Sequence, residues 1–138
     1  MMAVDTSQCI FVIEDNHATR RLLEDVLSAS NYQCHAFECA EDGLSKASEL
    51  APGIIILDIN LPGMNGIQAA NEFRQIPALK NTVIIGMSAH AMKTEEDIFK
   101  SAPFNHFLTK PFSYKVLLTL ISSIFRSKEL SEAGRFTS

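Results

Sequence analysis

The sequence has no run of lysine and arginine, and its net charge is −4. The basic footprint of a nucleic-acid binder is therefore missing, which argues against direct contact with DNA or RNA. Its three cysteines, Cys9, Cys34 and Cys39, are odd in number and form no CxxC pair. They read as reduced thiols serving as small apolar residues, and a disulfide frame is excluded. No apolar run approaches the roughly 20 residues of a membrane span. The opening MMAVDTSQ carries neither a basic n-region nor an apolar h-region. The expectation is a soluble, cytoplasmic protein without membrane insertion. Internal repeats and low-complexity tracts are absent as well. What is present is a chain of 138 residues, 46% hydrophobic and 20% charged, enough for one compact core.

Four short stretches are apolar and rich in β-branched or aromatic residues: CIFVI (9–13), IIIL (54–57), TVIIGM (82–87) and FNHFLT (104–109). The second and third are apolar on successive residues, as strands covered on both faces of a parallel sheet must be. A fifth stretch, YQCHAF (32–37), alternates and belongs nearer an edge. Helical spacing fills the intervals, with Leu22, Leu23, Val26 and Leu27 on one face of 18–29, and Leu44, Ala47 and Leu50 on one face of 40–50. Ile67, Ala70 and Phe73 form the stripe of 66–76. Met92, Ile98 and Phe99 serve 91–101, and Leu117, Leu120, Ile121 and Ile124 serve 113–126.

Asn16, Asn65, Thr94 and Ser113 stand where N-caps are needed, and Asp97 follows Thr94 at capping-box spacing. Pro52, Pro77, Pro103 and Pro111 fall at or near the boundaries. The alternation predicts an α/β fold, (βα)5, with a doubly wound five-stranded parallel sheet and right-handed crossovers. The domain is expected to cover 1–126, leaving SKELSEAGRFTS (127–138) as a loose tail or the start of a linker.

Functional groups in such sheets gather at the carboxyl ends of the strands, where loops meet helix N-termini. Here the first strand ends in Glu14 and Asp15, the third in Asp58, the fourth in Ser88 and the fifth in Lys110 and Pro111. Singly, each is ordinary surface decoration. Together, three carboxylates on neighbouring strand ends repel one another unless a cation holds them. Oxygen-only ligands select a hard ion such as Mg²⁺. A hydroxyl from Ser88 and an ammonium from Lys110 add a donor and a fixed charge for phosphoryl oxygens.

These motifs, in this order, resemble the receiver domain of two-component response regulators over about residues 8–126. FVIEDNHATRRLLEDVL is similar to that family's first strand, acidic pair and first helix. IIILDINLPGMNG resembles its phosphoacceptor strand and loop, IIGMSAHAM its fourth strand, and FLTKPF its Lys-Pro turn. The resemblance implies a flavodoxin-like fold in which Asp58 accepts a phosphoryl group from a histidine kinase or a histidine phosphotransfer protein. It implies that Asp15 binds Mg²⁺ directly, Glu14 largely through water, and Asn60 through its backbone carbonyl, with Mn²⁺ a substitute ion. Ser88 and Lys110 would bond the incoming group, a cis bond before Pro111 would aim Lys110 inward, and Phe107 would be the aromatic switch. Because Phe107 lacks a tyrosine hydroxyl, an output hydrogen bond through that group is ruled out. Asn60 and His90 would tune phosphoryl lifetime.

One departure is SAPFNHF (101–107), where the family has a small Ala-Gly turn; Pro103 cannot adopt the positive φ such a turn uses. The last helical segment is also unusual. Its apolar positions sweep roughly 200° of arc, leaving Tyr114, Leu118 and Phe125 as an extra stripe. That stripe is a candidate interaction surface, for a downstream protein or self-association through the fourth and fifth helical segments and the fifth strand. Other readings are an aspartyl-phosphate hydrolase, a flavodoxin-like cofactor binder and a receiver-like module that binds partners without phosphorylation. The hydrolase needs a second acid where Asn60 stands, and the cofactor binder needs a phosphate loop where Glu14 and Asp15 stand. A switch rather than a turnover enzyme follows.

Overall fold

The protein is described by a computed structural model covering residues 8–89 and 103–137, with side chains to residue 130. The segment 91–101, with Met92, Thr94, Asp97, Ile98 and Phe99, and the candidate lifetime residue His90 lie outside the described residues.

In chain order the elements are β1 (Cys9–Ile13), α1 (His17–Ala29), β2 (Gln33–Phe37), α2 (Ala40–Leu50), β3 (Ile54–Asp58) and α3 (Gly66–Arg74). A short 3-10 turn (Pro77–Leu79), β4 (Val83–Ser88), β5 (His106–Thr109) and α4 (Tyr114–Thr137) complete them. All strand pairs are parallel, and the spatial order is β2-β1-β3-β4-β5. The chain thus winds outward from β1 on one side and from β3 on the other. The reversal leaves a crevice at the carboxyl ends of β1 and β3, where this architecture places its ligands.

The aliphatic runs explain why those two strands are central. Every residue of β1 and of β3 is buried. Phe11, Ile13, Ile55 and Leu57 face the layer of α2 and α3, with Ala47, Ala70 and Phe73. Ile10, Val12, Ile54 and Ile56 face α1 and α4, with Leu23, Leu27, Leu117 and Ile121. Alternation along an all-apolar strand therefore feeds both cores. Cys9 is buried and Cys34 half-buried, and burial pushes their thiols up to about 11 and about 12. Both stay neutral and behave as apolar residues.

The caps follow the sequence. Asn16 Oδ1 accepts from Thr19 N at 2.9 Å, and Asn65 forms a complete capping box with Gln68. Ser113 Oγ accepts from Lys115 N at 3.1 Å at the start of α4.

Three boundaries differ by two residues or more from what the sequence predicts. α3 stops at Arg74 instead of residue 76, because Pro77 holds Ile76 extended (ψ 117°) and opens a separate turn. β5 begins at His106 instead of residue 104. Asn105 uses both backbone and side chain on Ile84, donating from N to Ile84 O and accepting from Ile84 N at Oδ1, each at 2.8 Å. Phe104 turns into the core, with its ring packed edge-on to Phe107 at 6.0 Å. Finally, 127–137 is not loose, since α4 continues unbroken to Thr137. Lys, Glu, Leu, Ala and Arg in that stretch favour a helix, and no proline stops it.

Candidate functional site

β1 and β3 end side by side, and their last residues carry the acids. Glu14 is still tied to the sheet, since its N donates to Phe37 O at 3.1 Å. Its carboxylate turns inward and is 1% exposed. Oε2 accepts from Asn16 N at 3.0 Å and Oε1 from Lys110 Nζ at 2.6 Å. Asp58 is 5% exposed. Its Oδ1 accepts from Asn60 N at 3.0 Å and its Oδ2 from Lys110 Nζ at 3.1 Å. Asp15 is exposed at the mouth, and one ligand oxygen from each of Glu14, Asp15 and Asp58 lies within 4.8 Å of the others.

Three hard oxygen donors at this spacing suit Mg²⁺, which takes one or two carboxylates and keeps several waters. The open side at Asp15 leaves room for such waters. The repulsion anticipated among the acids is relieved in part by Lys110, which sits between two of them. Lys110 comes from the end of β5, 96 positions after Glu14, and is followed by a cis Lys110–Pro111 bond. Its N donates to Ser88 O at 2.7 Å, which anchors the turn to the end of β4.

The electrostatics are asymmetric. Burial works against the Lys110 charge, but hydrogen bonds to Glu14 and Asp58 outweigh it and hold the ammonium above its ordinary value. For Glu14 the balance is reversed. Burial, reinforced by the charge of Asp58, outweighs the Lys110 and Asn16 hydrogen bonds and raises its carboxyl above 4.5. One ammonium divided between two carboxylates does not neutralise both.

The remaining sequence candidates separate into groups. Ser88 is buried at the end of β4 and stands one residue beyond Met87, the register partner of Asp58. Asn60 approaches Asp58 through its amide N–H. Phe107 is half-buried on β5 beside Gly86, with β4 between it and β3, the strand that ends in Asp58. A Cβ at Gly86 would lie 3.0 Å from the ring of Phe104 and 3.2 Å from that of Phe107. The glycine is the floor under both rings.

The extra stripe of the last helix does not survive intact. Phe125 is buried in the α1 and α4 core, its ring 5.6 Å from that of Tyr32. The sequence reading assigned it outward because Tyr32, which covers it, is far away in the chain. Tyr114 and Leu118 are half-buried, and among the described residues the exposed large apolar side chains on this helix are Val116, at 53%, and Leu130, at 67%.

Two site residues escaped the sequence reading. Arg20 donates from Nη1 to Glu14 O at 3.0 Å and to Asp15 O at 3.4 Å. One turn into a helix, a basic residue ordinarily faces solvent, so only the position six after Glu14 and five after Asp15 hinted at this. Gly66 is the second. A Cβ there would lie 2.5 Å from Asp58 O and from Ile59 Cα, so the N-terminus of α3 sits directly on the phosphoacceptor candidate's backbone. The Asn-Gly signal marked a turn, and the close approach is a tertiary fact.

A doubly wound α/β domain with acids and a lysine gathered at its switch point has a definite class: the flavodoxin-like architecture used by signalling receivers. The family model described as response regulator receiver domain matches residues 10–122, and the chain belongs to that family. The polar-differentiation response regulator DivK of Brucella ovis is 26% identical over 117 residues, spanning 85% of this chain and 95% of that protein. Hybrid signal transduction histidine kinase C of Dictyostelium discoideum is 27% identical over 114 residues, which is 78% of this chain and 9% of the kinase. Among solved structures, the receiver domain of sensor histidine kinase PA1611 from Pseudomonas aeruginosa PAO1 superposes with a TM-score of 0.77. It is 23% identical, with 85% of this chain and 96% of that one covered, and it has a magnesium ion coordinated in its active site cleft. Receiver domains are switches of two-component signalling that work with histidine kinases or phosphotransfer proteins. Among the described residues no helix is long and apolar enough to cross a membrane.

Proposed function

We propose that the protein is a phosphoacceptor switch in which Asp58 takes a phosphoryl group from a phosphohistidine. The observation that carries this reading is Lys110, whose Nζ reaches Asp58 Oδ2 and Glu14 Oε1 together inside the acid cluster. A lone pair of an Asp58 carboxylate oxygen attacks phosphorus as the P–N bond to the donor imidazole breaks. The new P–O bond forms on Asp58, and the imidazole nitrogen leaves with the bonding pair, neutral because its other nitrogen carries a proton. Lys110 then exchanges its Asp58 contact for the phosphoryl oxygens, and the Ser88 hydroxyl supplies a further hydrogen bond.

Glu14, Asp15, Asp58 and the carbonyl of Asn60 would hold Mg²⁺, with Mn²⁺ able to substitute; the ion supplies charge stabilisation to the transferring group. The new dianion draws Ser88 and its loop, and Phe107 repacks over Gly86. The output surface includes β5 and α4, where Tyr114 and Leu118 provide apolar contact to a downstream protein or a second copy. Asn60 and His90 set the lifetime of the acyl phosphate. In this reading the protein receives one phosphoryl group per signalling event rather than turning over external substrates. It acts in the cytoplasm, with the receiver spanning 1–126 and a linker or tail from 127 that begins as a continuation of α4.

Incubation with Mg²⁺ and a small acyl phosphate, followed by intact mass, tests the reading. Wild type should gain one phosphoryl group, and Asp58→Asn should gain none. An adduct that persists in Asp58→Asn, or none in wild type, overturns it.

A further inference from the structure

Asp15 is the one acid of the cluster whose carboxylate is exposed, and among the described residues it forms no ion pair. Glu14 and Asp58 are each aimed by hydrogen bonds to their own carboxylates. The direction of Asp15 must therefore come from its main chain. The two peptide groups on either side of its Cα carry the carbonyls of Glu14 and Asp15, and both are bound by Arg20 Nη1, at 3.0 and 3.4 Å. Fixing both peptide planes fixes φ and ψ of Asp15, and with them the Cα–Cβ direction. The grip is itself rigid. Arg20 N is held by Asn16 O at 2.9 Å in the first turn of α1, and its Nη2 contacts His17 Nδ1 at 3.2 Å.

From this geometry we propose that Arg20 is a positioning residue for the divalent-cation site, setting the approach of Asp15 through the backbone rather than through charge. Nη1 serves both carbonyls while Nη2 is held at His17, so the planar guanidinium is fixed in direction, whereas a lysine ammonium on a flexible stem has no second nitrogen to fix it. The inference rests on the phosphoacceptor reading for the identity of the cation-binding acids.

Charge and positioning predict opposite signs. Arg20 is a cation beside a cation site, so if its charge were what mattered, a neutral replacement would tighten Mg²⁺ binding. If its geometry matters, the same replacement weakens binding. Loss of a group that orients a metal ligand typically costs about 10-fold or more in affinity.

The test is Mg²⁺ titration by isothermal calorimetry on wild type, Arg20→Met and Arg20→Lys, alongside melting temperature in EDTA. The expected result is an Mg²⁺ Kd weakened about 10-fold in Arg20→Met and by less in Arg20→Lys, with EDTA melting temperatures close to wild type. Phosphoryl uptake on Asp58 at saturating Mg²⁺ should return to near the wild-type rate in both variants. An unchanged or tighter Kd in Arg20→Met overturns the inference while the functional reading stands. If Arg20→Met does not fold, Arg20→Lys decides, since an Mg²⁺ Kd equal to wild type there overturns it too. Failure of wild type to bind Mg²⁺ overturns both the reading and the inference.

Discussion

Arg74 and Asn105, 31 positions apart, meet at the end of the sheet away from the acids, with Arg74 Nη2 donating to Asn105 Oδ1 at 3.1 Å. Nη1 of the same guanidinium donates to Leu79 O and Thr82 O at 3.1 and 2.9 Å. Asn105 in turn brackets Ile84. One side chain thus ties the end of α3 to the starts of β4 and β5. Arg74→Met removes a donor from three acceptors, of which Leu79 O and Asn105 Oδ1 keep a second one, from Thr82 N and Ile84 N. It should cost about 2–3 kcal/mol of unfolding free energy in urea, and Asp58 phosphorylation should proceed as in wild type. A loss below about 0.5 kcal/mol would show that water replaces the guanidinium without penalty.

Lys110 is the internal counterion of Glu14 and Asp58, so its removal leaves two buried carboxylates facing each other. Lys110→Met should lower metal-free stability at neutral pH by about 2–4 kcal/mol. The deficit should shrink on adding Mg²⁺, which supplies positive charge to the same acids. Chemical denaturation with and without EDTA measures both terms. A deficit that Mg²⁺ leaves untouched would separate Lys110 from the cation site.

The raised carboxyl of Glu14 sets a pH dependence with a defined sign. The folded protein holds this proton more tightly than the unfolded chain, whose carboxyl has its ordinary value of 4.5. Stability from this group is complete below that value and is lost as pH rises through the raised folded value. In EDTA, melting temperature should fall as pH rises from the ordinary carboxyl value of 4.5 through the raised folded one, and Glu14→Gln should flatten the fall. A slope identical in wild type and Glu14→Gln would assign it to other groups. Lys110, also raised, acts in the same sense at the alkaline end, above 10.5.

Gly66→Ala places a methyl 2.5 Å from Asp58 O and from Ile59 Cα, distances at which the backbone must move. Overpacking against main chain should cost about 1–3 kcal/mol. Because the displaced residue is the phosphoacceptor candidate, phosphoryl uptake should drop more than stability explains. The uptake rate of Gly66→Ala, measured well below its melting temperature, checks this; a wild-type rate would show that α3 yields instead of Asp58.

Much of the fold was legible because it is written in local periodicity. Consecutive aliphatic residues in 54–57 can be buried only between two layers, and β3 is buried on both faces. Asn16 and Asn65 cap their helices within three residues of themselves, a contact that sequence spacing alone specifies. The strand ends put Glu14, Asp15, Asp58, Ser88 and Lys110 at one edge for the same reason.

Sequence by itself determined the alternation of strands and helices among the described residues, the caps at Asn16, Asn65 and Ser113, and that acids and a lysine end up at the carboxyl edge of a parallel sheet. Tertiary structure decided the partners. It set Lys110 between Glu14 and Asp58, covered Phe125 with Tyr32, laid Phe104 and Phe107 on Gly86 and closed Arg20 over the carbonyls of the acid pair. The physical reason is reach. Backbone propensity and capping act over one turn or one strand repeat. Most of these contacts join residues that approach only once register and layer packing are fixed, and Arg20, near the acid pair in sequence, needs the β1–α1 turn to bring it back.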